Sequence, residues 1–193
     1  MATIQSATTV GLACPVEARE ALERVINTVD ERAVQTQARD ALRMLKSLRI
    51  NFQPKEVAVP AGYLPDFGEV FADRGNGHTY GWSADHTGEV RRRTDDPLQG
   101  TLVHVLDGQR WELALPNGTY EVAVMIGDPQ YPSQPTLYIE GVECCKNLAL
   151  QNAVELVRQT VQVNDGKLTL DADESKRPAT RIIAVQVEPA QDS

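Results

Sequence analysis

Histidine and cysteine are scarce in this chain, three of each in 193 residues. His78, His86 and His104 stand at spacings that match no zinc motif, and no Gly-x-Ser-x-Gly elbow marks a nucleophile. Cys14, Cys144 and Cys145 are odd in number with one adjacent pair, which is no disulfide framework; two reduced thiols in a strand are the expectation. Apolar runs are short, and none approaches the roughly 20 residues needed to span a bilayer as a helix. Positive charge is in deficit, with 19 Lys and Arg against 27 Asp and Glu and a formal net charge of −8. That balance argues against nucleic acid as a partner, because phosphate binding needs a clustered basic surface. The first ten residues hold no Lys or Arg and no continuous apolar block, so they do not read as a secretory signal peptide. This leaves open a chain that acts where it is made, in the cytoplasm or incorporated in a particle such as a virion, one that leaves by another route, and a fragment whose signal was cut away.

What is present is ordinary globular material, 41% hydrophobic and 24% charged, which sets disorder aside. Its grammar changes near residue 50. Residues 1–49 carry seven Lys and Arg and six Asp and Glu; the remainder carries twelve and twenty-one. All ten aromatic residues lie between Phe52 and Tyr138. Ala18, Leu22, Val25 and Val29 recur at helical spacing after Pro15, which suits a first helical turn. Thr28 followed by Glu31 fits a capping box that starts a second helix with Val34, Ala38, Ala41, Leu45 and Leu48 on one stripe. The two stripes are out of phase, which predicts a helical hairpin or a long helix with a kink. Such narrow, Ala-rich stripes need burial. They predict that residues 15–48 dock on their own domain, on another copy of the chain (a homo-oligomer), or on a larger particle.

Beyond residue 50 the apolar period becomes two. Tyr120, Val122, Val124 and Ile126 alternate with Glu121, Ala123 and Met125. Val157–Val163 and Ile183–Val187 alternate likewise, and turn signals such as Asn164-Asp165-Gly166 separate the segments. Many short strands with no crossover helix predict an antiparallel sandwich or barrel. Residues 60–93 show little alternation and read as a long loop with Tyr63, Phe67, Phe71, Tyr80 and Trp82 among Asp, Asn and Arg. Aromatic faces beside such polar groups suit a sugar, whose C–H faces stack while its hydroxyls take hydrogen bonds. Trp82 and Phe71 fit the core equally well; Tyr63, Tyr80 and Tyr131 read as exposed. Arg91-Arg92-Arg93 reads as paired with Asp95 and Asp96.

Ile50-Asn-Phe-Gln-Pro54, Pro60-Ala-Gly-Tyr-Leu-Pro-Asp66, Phe71-Ala-Asp-Arg-Gly-Asn-Gly77 with Tyr80-Gly-Trp82, Thr101-Leu-Val-His104, and Trp111 through Tyr120 leading to Gly127-Asp128-Pro129 occur in order. In this the chain resembles the malectin-like modules of the galactose-binding-like group, over about residues 49–189. The resemblance implies a mainly β fold, a jelly-roll antiparallel β-sandwich, preceded here by the helical hairpin of residues 1–48. It implies a non-catalytic carbohydrate-binding module with contacts at Tyr63, Asp73, Arg74, Asn76, Tyr80, Asp128 and Tyr131. No cofactor is expected, apart from a structural Ca²⁺ that the oxygens of Asp66–Asn76 would suit. The alternative is a structural protein that decorates a particle, with the helices anchoring or oligomerising it.

Overall fold

The computed structural model describes residues 16–28, 34, 37, 47–172 and 180–190. The chain divides into two compact units, Met1–Leu45 and Lys46–Ser193. The first holds α1, Val16–Thr28. Arg19 and Glu23 pair across one exposed turn at 3.2 Å. Thr28 is itself helical within α1, where its hydroxyl donates back to the Arg24 carbonyl at 2.7 Å; Glu31, the other half of the expected capping box, lies outside the described residues. Of the expected hairpin one helix is therefore described. Apart from Val34 and Gln37, the residues of the second helix before Ser47 lie outside the described residues. Leu48 is not helical but opens a strand, where it is partly buried against the core of the second unit. Among the described residues no helix is long and apolar enough to cross a membrane.

The second unit is built of strands: β1 Leu48–Phe52, β2 Leu64–Asp66, β3 Ala72–Asp73, β4 Thr79–Trp82, β5 Val90–Arg92, β6 Thr101–His104, β7 Arg110–Ala114, β8 Gly118–Gly127, β9 Leu137–Ile139, β10 Val142–Cys145, β11 Val154–Val163, β12 Lys167–Ala172 and β13 Arg181–Pro189. One sheet runs β11-β8-β13-β1-β2, with β6 also on β13 and β5 on β6; the other runs β10-β9-β12-β7-β4-β3. The pairing is antiparallel except between β1 and β2, which are parallel. This departs from the all-antiparallel expectation. The long connection between them, residues 53–63, gives the chain room to return to the end where β1 began. Residues 60–93, expected as one loop, contain β2, β3, β4 and all of β5. These strands are two to four residues long and Gly-interrupted, too short for a period to show.

The alternating positions of both sheets meet in one core. Ile50, Phe52, Val122, Val124, Val185 and Val187 from the first sheet cluster with Tyr80, Trp82, Trp111, Leu113, Leu168 and Leu170 from the second. Each such side chain is worth about 1.5–3 kcal/mol of burial. Phe52 meets Trp82 and Trp111 edge-on, with ring centroids 5.8 and 5.5 Å apart. A bulge in β13 between Ile182 and Ala184 breaks the alternation. It sends Ile182 to this core and Ile183 and Ala184 to the other face of their sheet, where Leu102, Tyr63 and Leu98 cover them. Asn51, buried in β1, ties the layers of this region together. Its amide donates to the Ile183 carbonyl at 2.9 Å and the Leu98 carbonyl at 3.3 Å, and accepts from the Thr101 hydroxyl at 3.2 Å.

Candidate functional site

Two buried carboxylates organise the polar side chains that the sequence singles out. The first is Asp66, 2% exposed at the end of β2. One oxygen accepts the Trp111 indole N–H at 2.8 Å; the other accepts the Gly68 amide at 2.7 Å and the Trp82 indole at 3.3 Å. Burial holds its carboxyl above the usual range, against the lowering pull of these donors and of Arg74. Beside it, the Tyr80 hydroxyl donates to the Pro65 carbonyl at 2.8 Å and accepts from the Asn76 amide at 3.3 Å. Arg74 lies over the Tyr80 ring, 5.2 Å from its centroid, with one terminal nitrogen on the Glu69 carboxylate and the other on the carbonyls of Glu69 and Val70. Gly81 makes room for that guanidinium: a Cβ there would collide with it and with the Glu69 carbonyl.

The second carboxylate is Asp128, wholly buried just after β8. Gly127 allows this placement, because at its φ of +113° the chain passes so near the Ala153 carbonyl that no Cβ fits. One Asp128 oxygen accepts the amides of Gln130 and Tyr131 at 2.9 and 3.2 Å. The other faces two guanidinium nitrogens, Arg93 Nε at 2.9 Å and Arg181 Nε at 3.4 Å. His104 sits between the same arginines. Its Nε2 is 3.3 Å from Arg93 Nη2 and 3.4 Å from Arg181 Nε, so it accepts and the ring proton sits on Nδ1, facing Glu89 at 3.6 Å. Burial, and then the charges of Arg181, Arg91 and Arg93, push the imidazole down to about 4. Above this network the Tyr131 ring lies 5.0 Å from the Arg93 guanidinium carbon and remains 52% exposed.

The seven sequence-predicted positions therefore fall in three places. Asp73, Arg74, Asn76 and Tyr80 gather on the β3–β4 edge. Asp128 and Tyr131 gather with Arg93, His104 and Arg181 at the end of the other sheet. Tyr63 stands apart, half-buried on the outer cluster with Leu102 and Ile183. Tyr80, expected as exposed, is buried, because its alternation in β4 points it into the core beside Trp111. Trp82 is core as well, stacked on His86 at 4.1 Å. The arginine triplet does not pair as expected. Only Arg92 reaches Asp95; Arg91 meets Glu89 and Arg93 meets Asp128. Sequence reasoning missed His104 and Arg181 as site members. Their one signal is a cross-strand pairing, Arg181 opposite His104, visible only once β6 and β13 are side by side.

Asp73 and Asn76 each turn an oxygen onto a backbone amide two residues on, Gly75 and His78, and Asp66 faces N–H donors. Among the described residues no three His, Cys, Asp or Glu side chains form a metal-ligand set. Cys144 and Cys145 are free thiols. A register shift in β10 lets both pack against the core, and burial with the neighbouring thiol pushes Cys144 up to about 11.

No protein-family model matches the chain. No curated protein matches it either. Among solved structures the chain is similar to the protein YXIM from Bacillus subtilis, over 77% of this chain and 41% of that one, at 23% identity and a TM-score of 0.58. It is similar to the plant receptor-like kinase FER, over 76% and 42%, at 13% identity and a TM-score of 0.52. A structure of the plant peptide RALF23 in complex with FER and LLG2 matches over 76% and 40%, at 14% identity and a TM-score of 0.50. The chain spans about two fifths of the length of these structures. At such identities the likeness is one of fold.

Proposed function

We propose that the second unit is a non-catalytic carbohydrate-binding module, a galactose-binding-like jelly roll of the malectin-like kind, whose sugar contact is the Tyr131 loop. The observation that carries this reading is an aromatic ring that is half exposed and yet held. Its backbone amide is tied to buried Asp128 and its ring rests beside Arg93. An exposed ring already fixed in place can stack on a sugar with little further loss of side-chain freedom. The polar edge of Asp73, Arg74 and Asn76 is a second surface of suitable chemistry, but its groups already bond one another and the backbone. The histidines serve packing and pairing: buried His86 stacks on Trp82 with Nδ1 bonded to the Ala84 carbonyl, and half-buried His104 bridges the arginines.

A glycan array with the full chain, followed by titration of the best ligand, tests this. Binding is expected to be weak, since sugar hydroxyls exchange water hydrogen bonds for protein ones at small net gain, and to disappear in Tyr131→Ala. An array without signal would overturn the reading. So would turnover of glycoside or ester reporters that one Asp or Glu substitution between Asp66 and Asp96 abolishes. The apolar positions Leu22 and Val25 of α1 support attachment of residues 15–48 to another copy or a larger particle. Light scattering should then show an assembly that Leu22→Asp reduces, and a monomer in both cases would end that idea.

A further inference from the structure

Beyond the saccharide reading and independent of it, we infer that β11 is an association edge: it pairs antiparallel with β11 of a second copy of this chain, so that the first sheet runs on across a twofold axis. The edges of the two sheets are not alike. β2 and β5 end the first sheet on one side, and β3 and β10 end the second sheet. β3 is the pair Ala72–Asp73. β2 is Leu64–Asp66 and carries Pro65. β5 is Val90–Arg92, with Arg91 and Arg92. β10 is Val142–Cys145, broken by a register shift. Short length, proline, charge and bulges are the devices that keep an edge from pairing with another chain. β11 is the remaining edge, and it is built differently. It is 10 residues long, Val154–Val163, and keeps an unbroken register with β8 along its whole length. It holds no Pro, Gly or Lys, and its Glu155 and Arg158 cancel in charge.

The backbone shows which groups face outward. The Asp128 amide donates to the Ala153 carbonyl at 3.2 Å, and these two residues stand opposite each other in the register that sets Val154 against Gly127. Opposite residues that bond each other are the hydrogen-bonded pairs of an antiparallel ladder, and such pairs alternate along the strand. Ala153, Glu155, Val157, Gln159 and Val161 therefore bond β8. Val154, Leu156, Arg158, Thr160 and Gln162 turn their amides and carbonyls to the free edge, where no backbone partner meets them among the described residues. The Thr160 carbonyl takes the side-chain amide of Gln159 at 3.1 Å, a contact that a second strand can replace. A second copy fits because the strand is its own complement. A twofold axis normal to the sheet pairs even-numbered residues with even and odd with odd, so outward groups meet outward groups and inner faces stay on one side. Centred on Arg158, the pairing would set like charges directly opposite. Centred on Gln159, it sets Arg158 opposite Thr160, Leu156 opposite Gln162 and Val157 opposite Val161, with no like charges directly opposed. The formal net charge of −8 works against self-association in general, and a strand of no net charge is where that repulsion is least.

The test is amide hydrogen exchange by NMR on the full chain over a dilution series, with the mass read by light scattering on the same samples. The expected result is a monomer–dimer equilibrium. The amides of Leu156, Arg158, Thr160 and Gln162 should exchange about tenfold more slowly at roughly ten times the dissociation constant than at high dilution. Those of Glu155, Val157 and Gln159, already bonded to β8, should change less. Thr160→Pro removes an outward N–H and no bond to β8, a position where an edge strand accepts proline, and it should abolish the dimer. Thr160→Lys sets a second cation opposite Arg158 and should weaken the dimer about tenfold; it serves even if the proline variant fails to fold. A monomer at every concentration overturns the inference. So do outward amides that are protected in a particle of monomer mass, since the edge is then covered within the chain. Self-association that leaves these amides unprotected, or that Leu22→Asp removes and Thr160→Pro does not, overturns it too and points to residues 15–48. None of these outcomes bears on the glycan array, so the saccharide reading stands or falls separately.

Discussion

Asp66 and Asp128 are both buried carboxylates at strand ends, and they do opposite work. Asp66 receives only neutral donors, two indoles and an amide, in a shell of aromatic rings. Asp128 receives two guanidiniums whose far ends reach the surface, with an exposed tyrosine above them. The first network is closed, since its donors come from the core and it holds the core's largest side chains in register. The second is open, because each of its arginines keeps part of its surface in water. A polar residue whose partners are themselves buried serves the core, while a buried carboxylate that aims partly exposed cations leaves charge at the surface.

The sharpest way to break this comparison is to remove each carboxylate in turn. Asp66→Ala should cost about 3 kcal/mol or more in urea unfolding, because each orphaned buried donor costs roughly 1–3 kcal/mol and three are left. Asp128→Ala should cost less, about 1–3 kcal/mol, since guanidiniums with side chains 15% and 12% exposed can draw water. Equal losses would mean that the second network is as closed as the first.

Acid should separate the two regions further. His104 is pushed down to about 4 in the folded chain against 6.5 as its ordinary value. The unfolded chain therefore binds more protons between these values. The stabilisation is complete above about pH 6.5 and is lost as the pH falls toward 4. His86, lowered by its own burial, acts in the same direction. Asp66, raised by burial, acts in the other, favouring the folded state as it takes up a proton. Melting temperatures between pH 7.5 and 4.5 should fall less steeply in His104→Gln than in the parent chain; parallel curves would place the proton uptake elsewhere. The smallest expected change in stability is that of Tyr131→Ala, within about 0.5 kcal/mol for a surface substitution, while sugar binding is lost. A large loss of stability would make Tyr131 part of the framework.

Much of the fold is legible in the chain. The alternation of Tyr120–Ile126 and Val157–Val163 appears as paired ten-residue strands, β8 and β11, in the register that puts Val124 opposite Val157. The one described helix lies where Leu22 and Val25 recur. The site was less legible. Asp128 and Tyr131 were singled out, yet Arg93 lies just past the end of β5, His104 is in β6 and Arg181 in β13, and nothing local marks them as a group. Tyr80 was misread because β4 is four residues long and contains Gly81, so no alternation announced that it points inward.

The chain by itself determined that its second part is made of strands, because period-two burial and turn residues are local properties, readable within a few residues. It also determined an acidic surface and an aromatic-rich segment, which are matters of composition. Only the tertiary structure decided which aromatics are buried and which cations converge. Register and sheet order bring Arg181 opposite His104 and set both beside Arg93. Arg93 and Asp128 are 35 positions apart and His104 and Arg181 are 77, so these charges and hydrogen bonds exist only once the sheet is assembled.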